Sequence, residues 1–218
     1  MNGVIKFDPF WYLQRPGLAL ANGMVYLAFG SHGDAGNYQG WVMAYSAANL
    51  QHQIAAFNST PNGNGGGIWQ SGLRPSRVRA TFMWRPATAI STAWPTFRVR
   101  FSSCPGPVFP RSIGTRRRLW KYLDENDLDV GSTGPVLPSG IDSVLAGDKS
   151  GSLISLNPDS LGHIDSSAGA DVFTATPAGI FNFALWQTAQ GTLLYEHDIN
   201  GCPKSYEVTS TAIIPTPA

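Results

Sequence analysis

Apolar and polar positions fall into a recurring rhythm of short strands and tight turns. Residues 24–30, MVYLAFG, are rich in β-branched and aromatic side chains and run into the glycine-rich turn SHGDAGNYQG. GWVMAYSAANL follows as a second strand closed by a polar turn, and QHQIAAF as a third. Strand, glycine turn, strand, asparagine turn, strand predicts an antiparallel meander. The same order returns in SVLAGDKSGSLISLNPDSLGHI. With Gly40 laid on Gly151, GWVMAYSAANL matches GSLISLNPDSL without a gap, Tyr45 on Leu156 and Leu50 on Leu161. A fainter copy, TLLYEHDINGCPKSYEV, puts Tyr206 in the place of Tyr45 and Leu156.

The spacing of the copies predicts the architecture. Leu156 and Tyr206 are 50 residues apart, and Tyr45 and Leu156 are 111, close to two such steps. Repeats of about 40–50 residues, each a four-stranded meander, are the mark of propeller blades. The expected fold is all-β, a partial β-propeller of four-stranded antiparallel meander blades. Blades are expected over residues 1–72 and 120–218, with an aberrant basic segment over 73–119 between them.

Composition supports an all-β chain and isolates that middle segment. Charged residues make up 13% of the 218, about half the usual share, while Gly (24) and Pro (16) are abundant. Ten of the eleven arginines lie between Arg74 and Arg118, and no acidic residue occurs between Asp34 and Asp124. Residues 73–119 show no blade pattern, and their Arg, Pro, Ala and Ser content is what GC-rich coding sequence yields when read out of frame. Met83–Trp84 and Trp94–Pro95 force Val and Ala in the shifted frame. The run from Arg79 to Phe97 is then compatible with GNIYVATGNGDFDGVANF, a strand and an Asn/Asp/Gly turn. The competing reading is a basic insertion over 74–118 that binds anions or RNA. Its many Trp, Phe and Pro residues without a repeated motif disfavour nucleic acid.

Few side chains announce chemistry. Asp34 and Asn37, in GSHGDAGN beside His32, are candidates for metal ligation, but calcium needs six or more oxygens and this loop has two or three. Turn stabilisation by their side chains is the competing role. Trp69, in the glycine-rich loop NSTPNGNGGGIWQSG, either stacks on a planar cofactor or sugar or plugs the core between blades. Asp124, Glu125, Asp127 and Asp129 miss the calcium-loop pattern, since no Gly follows and no Glu closes it. Asp148 and Lys149 read as turn residues, and His52, His163 and His197 are scattered. Cys104 and Cys202 have no metal-ligand spacing. No nucleophile–His–Asp arrangement or phosphate cradle is present, so no catalytic residue is named. No run of eighteen apolar residues suggests a membrane span, and MNGVIKFDPFWYLQRPGLAL lacks the pattern of a signal peptide.

The strands VYLAFG and VLAGD, the glycine turn, the G-x-(V/L)-x-A-(Y/L) strand and GGGIWQSG resemble the pyrroloquinoline-quinone-like propeller repeat family, in a bacterial secreted branch. The resemblance covers residues 3–72 and 123–208. It implies a periplasmic or extracellular protein, and a fragment of one, since such propellers close a ring of about seven or eight blades. The function it implies is a binding or scaffold module, with a small molecule or a protein on the propeller face. The alternative within the family is a quinoprotein dehydrogenase oxidising alcohols or sugars with pyrroloquinoline quinone and calcium. The family's docking tryptophan is missing from SAANLQHQIAAF and NPDSLGHIDSS, which puts cofactor binding in doubt.

Overall fold

The computed structural model describes residues 4–61, 63–70, 126–128, 133–156, 179–200 and 203–209, together with the strands at 76–78, 81–84, 97–100, 115–116, 163–164, 170–174 and 213–215. All regular structure among these residues is β, and most of it is antiparallel. No helix among them is long and apolar enough to cross a membrane.

Four antiparallel sheets follow one another along the chain. The first joins β1 (Tyr12–Leu13), β2 (Ala19–Ala21), β3 (Met24–Ser31), β4 (Trp41–Ser46) and β5 (Gln53–Asn58). β1 and β2 pair with opposite ends of β3, so together they act as one interrupted edge strand. β4 pairs with β3 and then β5, completing a four-strand meander. The second sheet joins β6 (Ser76–Val78), β7 (Thr81–Trp84) and β8 (Phe97–Arg100), and β9 (Thr115–Arg116) lies beyond it.

The third sheet is built on β10 (Val144–Gly147), β11 (Ser152–Leu156) and β13 (Ala170–Thr174), with Val136 bridged to Leu145 on the free side of β10. Between β11 and β13, β12 (His163–Ile164) pairs in parallel with β9. The fourth is the meander β14 (Ile180–Gln187), β15 (Thr192–Asp198), β16 (Lys204–Val208) and β17 (Ile213–Pro215).

The first, third and fourth sheets share one register, as the repeat required. Gly40 precedes β4 and Gly151 precedes β11. Tyr45, Leu156 and Tyr206 each pair with the strand before and the strand after. The strand beyond β11 in the 141–161 unit is β13, which lies past residue 161. Residues 73–119 carry little regular strand, the short sheet β6–β8 and β9. FRVR explains part of this, because apolar Phe97 and Val99 alternate with Arg98 and Arg100 at the period of a strand. The side chains of Trp84, Trp94, Phe101 and the arginines from 74 to 118 lie outside the described residues.

The first, third and fourth sheets are apolar on both faces. In the first, Met24, Tyr26 and Ala28 alternate with Val25, Leu27 and Phe29, and the former join Val42, Ala44 and Ile68 in one core. The opposite face carries Trp41 and Met43, packed with Tyr12 and Tyr38. A third cluster welds the third sheet to the fourth, with Leu145 and Leu153 against Ile180, Phe183, Leu194, Tyr206 and Val208. An antiparallel sheet with one wet face would show polar residues on alternate positions. Two apolar faces call for a neighbour on each side.

Candidate functional site

A concave surface built by the described residues lies on one face of the first sheet. Val25, Leu27 and Phe29 of β3 and Trp41, Met43 and Tyr45 of β4 form its floor. Ile5, Phe7, Leu18 and Leu50 stand around it, enclosing about 500 Å³. Strand alternation places these residues together, since each is separated by one position from the next. Phe7 stacks on Tyr12 at 4.8 Å and meets Trp41 edge-on at 5.9 Å, which fixes one wall. Trp41 is buried, and its indole N–H has no hydrogen-bond partner among the described residues. The lining is apolar apart from Gln53 and the Tyr45 hydroxyl. Its volume falls in the range of small-molecule sites, about 300–1,000 Å³.

An aromatic corner closes one end of the same sheet, and two of the sequence candidates lie in it. Trp69 is half-buried and belongs to the packing around Tyr12, Tyr38, Trp41 and Met43. Its ring lies so close to Gly30 that a Cβ there would sit 3.1 Å from Trp69 Cε3. Tyr38 meets it edge-on at 6.4 Å, and the Arg15 guanidinium stands 5.8 Å from its centroid. Trp69 thus packs in the aromatic corner of the first sheet.

Asp34 adopts a left-handed backbone (φ 56°); its N–H donates to Ser31 Oγ at 2.9 Å, and its carboxylate accepts the Tyr38 hydroxyl at 2.5 Å. Asn37 is exposed on the same loop. Among the described residues no three His, Cys, Asp or Glu side chains converge as metal ligands.

Asp148 is fully buried and ties its own turn: Oδ1 accepts the N–H groups of Ser150 and Ser152 at 2.9 and 3.0 Å. Its carbonyl accepts the Ile180 N–H at 2.9 Å, joining the third sheet to the fourth. In the same way Ile68 N–H donates to Phe29 O at 3.1 Å, tying the loop after β5 back to β3. GIW at 67–69 and GIF at 179–181 therefore make one recurring backbone contact, 112 residues apart. Sequence reading quoted the first and missed its recurrence. Lys149 pairs with Asp127 at 3.0 Å.

A polar cluster went unnoticed in the sequence. Glu196 and Asp198 are buried on the face of β15 that meets the third sheet, and Lys204 Nζ lies 3.5 Å from Glu196 and 2.6 Å from Asp198. Tyr206 donates its hydroxyl to Glu196 Oε1 at 3.4 Å, while Oε2 has no hydrogen-bond partner among the described residues. Burial raises the Glu196 pKa above the usual carboxylate range despite Lys204. Burial, then the charge of Glu196, pushes the Tyr206 phenol up to about 12. The hydrogen bond to Asp198 raises Lys204. The available signal was phase: in TLLYEHD, Glu196 and Asp198 fall on the same side as buried Leu194.

No family model and no curated protein matches the chain. Among solved structures it is similar to the computationally designed Ika4 protein, at 7% sequence identity and a TM-score of 0.45, over 94% of this chain and 96% of that one.

Proposed function

We propose that this chain is a run of β-propeller blades of the pyrroloquinoline-quinone-like repeat type, acting as a binding or scaffold module in the periplasm or outside the cell. One observation carries the reading: meanders of the same register recur with apolar residues on both faces, and the same Gly-Ile-aromatic backbone contact is made to the first and to the third. A free-standing antiparallel sheet gains nothing from a second apolar face, whereas a blade between neighbours buries both. Within this reading the aromatic groove is a face that a neighbouring blade covers.

The dehydrogenase alternative has no comparable support. Trp69, the candidate platform for a planar quinone, is engaged by Gly30, Tyr38 and Arg15. The test is a titration of the chain with pyrroloquinoline quinone and calcium, followed by absorbance and by dye reduction with alcohols and sugars. A scaffold module leaves the quinone spectrum unchanged and reduces no dye. Saturable spectral change with substrate-dependent reduction would replace this proposal by the enzymatic one.

A further inference from the structure

The buried contact between the third and fourth sheets holds two carboxyl groups and one cation. Glu196 is 1% exposed and Asp198 3%, and the Lys204 ammonium is shared between them. The sharing is unequal. Asp198 Oδ2 takes Lys204 Nζ at 2.6 Å, and Asp198 Oδ1 accepts the Asn200 N–H at 2.8 Å. Glu196 has only long contacts on Oε1, 3.5 Å to Lys204 and 3.4 Å to Tyr206, and its Oε2 has no hydrogen-bond partner among the described residues. A buried carboxylate so weakly held costs far more than a neutral carboxyl in the same place. One proton for the pair therefore balances the site, and the contacts assign it to Glu196.

The described surroundings supply no second cation. β14 sets Phe183 opposite Glu196 and has no titratable residue along its length. β16 brings Lys204 and Tyr206. β10 and β11, which carry Leu145 and Leu153 into the contact, also have no titratable residue. On β13, Asp171 stands in register with Ser155, which itself pairs with Leu145, so the third sheet adds an acid to that face and not a base. Asp148 keeps its carboxylate in its own turn with Ser150 and Ser152, and His197 is exposed on the other side of β15.

We propose that Glu196 is a proton-operated latch between the third and fourth sheets: as the neutral acid it lets them close, and its ionisation loosens one from the other. An ionised Glu196 regains hydration only where Leu145 and Leu153 withdraw from Phe183 and Tyr206. The direction follows from burial. Glu196 holds its proton above the usual carboxylate range, so the closed contact is favoured at low pH, and that advantage is lost as pH rises through the folded-state pKa. The backbone bond that spans the two sheets, Ile180 N–H to Asp148 O at 2.9 Å, opens with them. The first sheet has a core of its own and is not part of the latch. The proposal needs only this contact and not the propeller reading.

The experiment follows amide hydrogen exchange of the full chain from about pH 4 to about pH 8, with rates corrected for the intrinsic pH dependence of exchange. Protection of the Ile180 N–H is expected to fall by about fivefold or more as pH rises, while the Ile68 N–H, bonded to Phe29 O, keeps its protection. Glu196→Gln should abolish the fall at Ile180, because an amide cannot ionise. Tyr206→Phe removes a donor that favours the carboxylate, so the fall should move to higher pH. Asp171→Asn should leave the fall as it is in wild type. Far-ultraviolet circular dichroism checks that each variant keeps its strands, and Tyr206→Phe carries the test if Glu196→Gln does not fold. Ile180 protection that does not change with pH overturns the proposal. So does a fall that survives Glu196→Gln, that Tyr206→Phe leaves at the same pH, that Asp171→Asn abolishes, or that Ile68 shares.

Discussion

Replacing Gly147 by alanine tests the sheet-on-sheet contact on which the propeller reading depends. Gly147 ends β10, and its N–H donates to Thr133 Oγ1 at 2.8 Å. An added Cβ would sit 2.9 Å from Ile180 Cγ2 and Phe183 Cζ and 3.0 Å from Ile180 Cβ. Carbon atoms rest at about 3.5–4.0 Å, so roughly 0.6–1 Å must be found on the fourth sheet. Ile180 is fully buried and Phe183 nearly so, which leaves neither ring nor branch an open direction. Overpacking of this kind costs about 1–3 kcal/mol, and reduced freedom of the unfolded chain returns about 0.4–1 kcal/mol. The expected net loss is about 1–2 kcal/mol, seen as a lower urea midpoint with an unchanged slope. Trimming the obstacle should relieve the strain, so Gly147→Ala and Phe183→Leu together should cost less than their sum by about 0.5 kcal/mol or more. A neutral Gly147→Ala, or strict additivity with Phe183→Leu, would refute face-to-face packing of the third and fourth sheets.

Two further outcomes are expected. Glu196 has a folded-state pKa above its unfolded value, so the folded protein holds that proton more tightly, and stability falls as pH rises from the unfolded carboxyl range through the folded pKa. Glu196→Gln should flatten that part of the pH–stability curve, with the variant gaining on wild type as pH rises; parallel curves in urea titrations across pH would show that this carboxyl does not titrate differently in the two states. The aligned glycines should also respond differently. A Cβ at Gly40 would clash with Gly66 O, so Gly40→Ala should destabilise by about 3 kcal/mol or more, whereas Gly151 is held by a left-handed backbone (φ 79°) that Asn adopts more readily than Ala, so Gly151→Asn should cost less than Gly151→Ala. Equal losses on thermal melting would contradict this assignment.

Local pattern carried most of what was readable. The strands at β3, β4, β10 and β11 follow from short apolar runs rich in β-branched and aromatic residues, bounded by glycine and asparagine turns, and neighbouring residues alone determine both. The 50-residue interval followed from the same source, because a repeated unit leaves a repeated pattern. Asp148 and Lys149 were legible as turn residues for the same reason. Trp69 could be placed in a glycine-rich loop, but its two roles differ only in what stands beside the ring, and Gly30 and Arg15 are distant in sequence.

What the tertiary structure decided is everything that depends on which face meets which. Alternation shows that Val25, Leu27 and Phe29 share a side. It does not show that Trp41, Met43 and Tyr45 continue that side into a groove, because cross-strand register depends on pairing across a nine-residue turn. Nothing local to Glu196 and Asp198 marks them as partners; only the pairing of β15 with β16 closes Lys204 and Tyr206 around them. The two equivalent glycines illustrate the division most directly. The sequence by itself determined that both precede the second strand of a repeat. Only the folded chain decided that Gly151 is there for a backbone angle and Gly40 for the carbonyl of Gly66, since that carbonyl arrives from a loop 26 residues away.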